Sequence, residues 1–253
     1  MASREFFICF EGLDGVGKTT QIGLLQGAIE SVVSKAPNRA SEISKVLDKY
    51  LHAEIELPKQ AAELLFIANQ WEINVEIEGL IKGEVNTSED VEPNAKKRRA
   101  LMVVADRNFI YGLAYGHARS GPEYMERCIV PAYRGILVPD IIFYLVPESC
   151  SDSCYSAARA SIPDWLVSRW AQRTGHCERF ENVEMQEKVV YGYRIARELV
   201  KGKTVDEPPF WHEIVVRDTD SMCDTSKLIL EKLVKSISLM DAHESRREPL
   251  HYF

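Results

Sequence analysis

The chain has 253 residues, 45% of them hydrophobic and 27% charged, with 31 Lys and Arg against 38 Asp and Glu for a formal net charge of −7. Such a composition excludes a disordered, fibrous or collagen-like chain, and a chain above roughly 200 residues buries most of its apolar surface without a metal or disulfide. The acidic total disfavours nucleic acid or an anionic membrane as a partner, because both are bound through clustered Lys and Arg, while small anions remain open through local basic pockets.

The N-terminus runs straight into Glu5–Phe10, an apolar, aromatic stretch that reads as a buried strand and leaves no room for a cleaved signal. Gly12, Gly15 and Gly17 follow at once, and from Lys18 the residues Ile22, Leu24, Leu25, Ala28 and Ile29 recur on one helical face. Ser31–Ser34 is a short candidate strand that ends at a turn over Ala36–Arg39. Ile43, Val46, Leu47, Tyr50 and Leu51 predict a helix, and Ala61–Ile81 a longer one.

Gly83–Arg99 is polar, contains Pro93 and ends in Lys96-Lys97-Arg98-Arg99, so it reads as a solvated insertion. The basic run fits a nuclear import signal or, as is commoner for such runs, a solvated face. Leu101–Ala105, Asp140–Val146 and Ile214–Val216 are apolar strands, and Asp164–Gln172 and Glu184–Val200 are helical. Near-continuous apolar strands separated by helices predict a parallel sheet covered on both faces.

The tail from Asp241 reads as loosely ordered, and no apolar run approaches the roughly 20 residues of a membrane helix, so a cytoplasmic protein is expected. Cys9, Cys128, Cys150, Cys154, Cys177 and Cys223 lack the paired spacing of a zinc site and are expected to be free thiols.

Gly12-Leu13-Asp14-Gly15-Val16-Gly17-Lys18-Thr19 matches G-x-x-x-x-G-K-[ST]. Its glycines let successive N–H groups point at phosphate oxygens, Lys18 reaches the outer phosphates, and the Thr19 hydroxyl can ligate Mg²⁺. The positive end of the following helix falls on the same spot. Asp106 closes an apolar strand, which fits either a carboxylate near Mg²⁺ or a helix cap. Arg107 beside it offers a planar fork of donors for a phosphate. No N-K-x-D for guanine is present. Arg169, Arg173 and Arg179 surround Gly175 and fit either a solvated helix face or a closing lid that offsets repulsion between two anions.

Phe10–Gln21, Leu64–Glu72, Val103–Arg107, Val138–Leu145 and Glu178–Val189 resemble, in order, the motifs of thymidylate kinases. The resemblance implies an α/β nucleoside monophosphate kinase fold, a five-stranded parallel sheet flanked by helices with a short lid over about residues 165–182, in one domain over residues 1–240. It further implies a homodimer that transfers the γ-phosphoryl group of ATP to dTMP with Mg²⁺. On the ATP side it places Gly12, Gly15, Val16, Gly17, Lys18, Thr19, Thr20, Asp218 and Ser221, with Thr19 and Asp106 at the metal.

On the acceptor side the resemblance places Asp14 at the 3′-hydroxyl, Arg39 and Arg107 at the phosphate, and Tyr115 near the sugar 2′ position. Gln70, Asn108 and Phe180 join them. Phe66 would stack on thymine, although its helical apolar stripe also fits plain core packing. Lys18, Asp14, Arg107, Arg173 and Arg179 would be the catalytic group.

The family usually has Arg at the position of Gln70 and Tyr at that of Asn108, and residues 85–99 and 149–163 are insertions. Gly15 and Val16 leave the P-loop without an arginine, so the lid must supply the basic group. A kinase for dUMP or a purine monophosphate, and a nucleotide-sensing P-loop protein without turnover, are the rival readings.

Overall fold

The computed structural model describes residues 5–36, 41–83, 102–154, 160–172, 178–201, 208–242 and Phe253. Its centre is a five-stranded sheet built from β1 (Phe6–Gly12), β2 (Val32–Lys35), β3 (Met102–Asp106), β4 (Ile141–Pro147) and β5 (Phe210–Val216). The order is β2-β3-β1-β4-β5, and every pairing is parallel. The continuous apolar runs follow from this burial: Cys9, Val103 and Ile142 enter the core on one face, Ile8, Val104 and Ile141 on the other.

The second of those faces is covered by α1 (Lys18–Ala28) and α9 (Met222–Ala242), through Ile22, Leu25, Ile229 and Leu233. The first is covered by α2 (Glu42–Leu51), α3 (Lys59–Lys82), α4 (Phe109–Ser120) and α8 (Val183–Val200), through Leu47, Ile73, Leu113 and Val189. After α4 the chain runs through α5 (Pro122–Tyr124), a π-helical turn (Met125–Ile129) and α6 (Val130–Ala132). Helix α7 (Asp164–Ala171) lies in the span expected for the lid. Among the described residues no helix is long and apolar enough to cross a membrane.

Several expectations shift. The first strand continues past Phe10, because Glu11 and Gly12 still pair with Tyr144 and Leu145. The last strand begins at Phe210 rather than Ile214; His212 and Glu213 interrupt its apolar pattern but pair with Phe143 and Tyr144. Helices α4 and α9 had no counterpart in the sequence reading. Residues 243–252 of the tail lie outside the described residues; at Phe253 the N–H donates to Ile136 O at 2.9 Å, the O accepts from the Gly135 N–H at 2.7 Å, and the ring packs 5.1 Å from Phe109. Lys96–Arg99, most of the first insertion and Cys177 lie outside the described residues, and the other five cysteines are free.

Helices α4 and α8 touch where Gly192 meets the backbone of α4. A Cβ at residue 192 would stand 2.2 Å from Ala114 O, an atom that cannot yield without moving the helix. Gly192→Ala is therefore expected to destabilise the fold by about 1–3 kcal/mol, as overpacked cores typically are. A urea denaturation midpoint equal to that of the parent protein would refute this close contact.

Candidate active site

Strand β1 stops at Gly12, where a Cβ would lie 2.1 Å from Leu145 O on the neighbouring strand, and the backbone leaves with φ +137°. Only glycine accepts both conditions. The loop closes onto α1, and Lys18 folds back over it, its Nζ donating to Gly12 O at 3.1 Å and Leu13 O at 2.7 Å. Burial and the adjacent Arg107 cation lower the Lys18 pKa to about 8, against the pull of Asp14, Asp106 and Glu11.

Thr19 Oγ1 donates to Asp106 Oδ2 at 2.8 Å, so a hydroxyl and a carboxylate, the oxygen ligands that Mg²⁺ takes, stand together. Asp106 is not a helix cap: Asn108 Oδ1 caps α4 by accepting from the Ile110 N–H at 3.0 Å. A cleft of about 700 Å³ spans this region, bordered by Gly17, Thr20, Lys35, Glu76 and Arg107.

Asp14 turns to the other side of the loop. Its carboxylate forms an ion pair with Arg107 and accepts from the Tyr115 hydroxyl at 2.7 Å and Gln186 Nε2 at 3.1 Å. The Arg107 guanidinium lies 5.5 Å and 5.4 Å from the ring centroids of Tyr111 and Tyr115. Burial pushes the Tyr111 phenol up to about 12, and burial with the nearby Asp14 charge raises Tyr115 further.

Beyond these tyrosines, Tyr50, Phe66 and Phe180 form a triangle with centroid separations of 6.5, 6.2 and 6.4 Å. Arg119 grips Glu63 through two hydrogen bonds of 2.6 and 2.7 Å and lays its guanidinium 4.5 Å over Phe66 and 5.0 Å over Phe180. Helical spacing explains the assembly, because Glu63, Phe66 and Gln70 share one face of α3, and Tyr111, Tyr115 and Arg119 one face of α4. Gln70 lies beside Tyr111, and neither its Nε2 nor the Tyr111 hydroxyl has a hydrogen-bond partner among the described residues. Phe66 is thus part of the core and part of a polar-ended aromatic chamber at once.

Helix α7 rests on the P-loop, with Trp170 Nε1 donating to Asp14 O at 2.7 Å. Arg169 pairs with Asp218 at 3.3 Å and stacks 4.5 Å from Trp165. Ser221 opens α9, its O accepting from the Asp224 and Thr225 N–H groups at 3.1 Å. Arg179 already has partners here: it bonds Tyr50 O at 3.0 Å, Ile55 O at 3.4 Å and Glu56 at 2.7 Å, fastening the C-terminal end of the expected lid span to the end of α2. Arg39 and Arg173 lie outside the described residues.

The structure thus gathers Asp14, Lys18, Thr19, Asp106, Arg107 and Tyr115 around one loop. It adds Glu11, Glu63, Arg119, Trp170 and Gln186, which sequence reasoning missed. Of these, Glu11 and Gln186 fall within the quoted motifs Phe10–Gln21 and Glu178–Val189, and none carried a signal of its own.

A profile of the thymidylate kinase family matches residues 10–154. The thymidylate kinase of Plasmodium falciparum (isolate 3D7) is 31% identical over 196 residues, covering 74% of this chain and 75% of the relative. That of Dictyostelium discoideum is 27% identical over 248 residues, covering 94% and 90%. The solved thymidylate kinase of Candida albicans matches with a TM-score of 0.68 over the whole of both chains at 20% identity, a likeness of fold. The matched span carries the P-loop, Phe66 and the Asp106-Arg107 turn together, and the chain belongs to the thymidylate kinase family.

Proposed function

We propose that this enzyme transfers the γ-phosphoryl group of ATP to dTMP, with Mg²⁺, in one catalytic unit over residues 1–240. One observation carries the reading: Asp14 joins the phosphate-binding loop of Lys18 and Thr19 to the Arg107–Tyr115 cluster, so donor and acceptor sites adjoin. Transfer between two anions needs cations between them and little water. Lys18 meets the donor phosphates and Arg107 the acceptor phosphate, and α7 covers the loop from above. Thr19 and Asp106 would hold Mg²⁺, which when bound neutralises charge on the donor phosphates.

Gly15, Val16, Gly17 and Thr20 complete the donor cradle, with Asp218 and Ser221 toward adenine. Phe66 and Phe180 are read as the wall against which thymine stacks, Gln70 as the reader of its edge, Asp14 and Tyr115 as the sugar contacts, and Asn108 and Arg39 as further acceptor-side residues. Arg173 is the lid cation of this reading, with Arg179 second to it. The partner is a second copy of the chain, laid on α3, where Leu64 and Val75 are 60% and 67% exposed on one face.

Lys18→Ala is expected to lower kcat by about 100-fold, the usual effect of removing one electrostatic contact to the transition state. Unchanged turnover in the folded variant would disprove this use of the loop. The lysine works as a cation and its pKa in the fold is about 8, so the active form is complete at lower pH and is lost as pH rises through that value. kcat/KM for ATP, which reports free-enzyme groups, should therefore fall above about pH 8, a limb absent from the residual activity of Lys18→Ala.

Gln70 can donate to O4 and accept from N3–H, which suits thymine and uracil alike, whereas cytosine requires a flipped amide. Absence of the thymine methyl costs about 1–3 kcal/mol, so dUMP should follow dTMP within roughly 10- to 200-fold in kcat/KM and dCMP should be poor. A preference for dGMP or dAMP in the same panel would overturn the pyrimidine assignment.

A further inference from the structure

Glu11 sits at the end of β1 with its carboxylate fully buried, and no role assigned above uses it. Its Oε1 accepts from the Asn108 N–H at 3.0 Å, the Tyr111 N–H at 3.3 Å and the Cys9 thiol at 3.5 Å. Its Oε2 accepts from the Tyr193 hydroxyl at 2.8 Å. One side chain thus ties the strand that feeds the P-loop to the first turn of α4 and to α8. Donors at a helix start have no partner within their own helix, and a carboxylate there also meets the positive end of the helix.

Arg107 lies inside this clamp. Its own N–H donates to Phe10 O at 3.0 Å, and the next N–H donates to Glu11, so adjacent residues of β1 hold both flanks of one residue. That residue has φ +72°, a left-handed conformation that side chains other than glycine rarely adopt and that persists only where the surroundings enforce it. From there the guanidinium reaches Asp14 and the rings of Tyr111 and Tyr115.

We propose that Glu11 is a positioning residue for phosphoryl transfer: by clamping the turn into α4 it holds Arg107 in the backbone conformation from which the guanidinium meets the acceptor phosphate. This rests on reading Arg107 as the acceptor-phosphate contact. A carboxylate that merely stabilised the fold would lower the melting temperature without separating the two substrates. A positioning role acts mainly on the acceptor, because the donor phosphates are held by Lys18 and the loop backbone, and Glu11 acts on Lys18 only through its charge.

The test is steady-state kinetics on Glu11→Ala, Glu11→Gln and Tyr193→Phe, with ATP and dTMP varied separately and folding checked by circular dichroism. Glu11→Ala should raise KM for dTMP by about 10- to 100-fold and lower kcat, with KM for ATP within about twofold, as expected when the buried Asn108 N–H loses its acceptor, the Tyr111 N–H is left with Asn108 O alone, and a catalytic arginine is misplaced. Glu11→Gln keeps an oxygen for those N–H groups and should recover most of the loss. Tyr193→Phe removes the Oε2 contact together with the hydroxyl's longer bond to Gly12 O at 3.4 Å, and should raise KM for dTMP several-fold, which keeps the proposal testable if Glu11→Ala fails to fold.

Equal rises in both KM values, a folded Glu11→Ala or Tyr193→Phe enzyme with unaltered KM for dTMP, or a Glu11→Gln enzyme as impaired as Glu11→Ala would overturn the proposal. Should the unsubstituted enzyme prefer another nucleoside monophosphate, the dTMP assignment fails. The same three variants measured with that acceptor still decide the role of Glu11.

Discussion

Phe10 stands opposite Asp106 in the parallel pairing of β1 and β3, and the active site depends on that register. Two parallel strands paired this way release their chains side by side at the same edge of the sheet. One chain becomes the P-loop and the other the Asp106-Arg107 turn. Because the sheet order puts β1 at the centre, the loop it feeds also meets α8 through Gln186 and, through Trp170, the α7 helix that follows β4. A slip of one residue would turn Asp106 to the opposite face and separate it from Thr19. Burial on both faces makes such a slip costly, so the apolar core is what fixes the distance between a hydroxyl and a carboxylate.

The charges at this edge are arranged before any substrate arrives. Lys18 and Arg107 are close enough for one cation to depress the pKa of the other, and Asp14, Asp106 and Glu11 stand around them. Each buried charge therefore has opposite charges or hydrogen-bond donors within reach, as buried ions require. Lys18 rests on two carbonyls of its own loop, and Arg107 rests on Asp14. Such preset dipoles need little rearrangement when two phosphates enter, which is the usual source of catalysis in phosphoryl transfer.

The aromatic chamber follows another logic. Arg119 and Glu63 form a buried ion pair whose removal from water opposes folding, so its contribution is better sought in geometry than in stability. The guanidinium stands over both the Phe66 and Phe180 rings and ties a helix of the sheet cover to the C-terminal end of the expected lid span. Arg179 fastens that same segment to α2 from the other side. The chamber wall is therefore held by two arginines whose side-chain hydrogen-bond partners among the described residues lie on α2, on α3 and just past α2 rather than on the P-loop.

The sequence by itself determined whatever is local. Eight contiguous residues with glycines at set places specify a phosphate loop, and continuous apolar runs mark buried parallel strands, because burial on both faces of the sheet demands an apolar side chain at nearly every position. Where polar residues interrupt a run, as at His212 and Glu213, the apolar pattern predicts too short a strand. Asp106 admitted two readings until Asn108 was found capping α4. The tertiary structure alone decided the long-range groupings: Glu63 meets Arg119 across 56 positions and Gln186 meets Asp14 across 172. No periodicity connects such residues. They meet because the sheet sets the helix axes and close contacts such as Gly192 on Ala114 set how near those axes come.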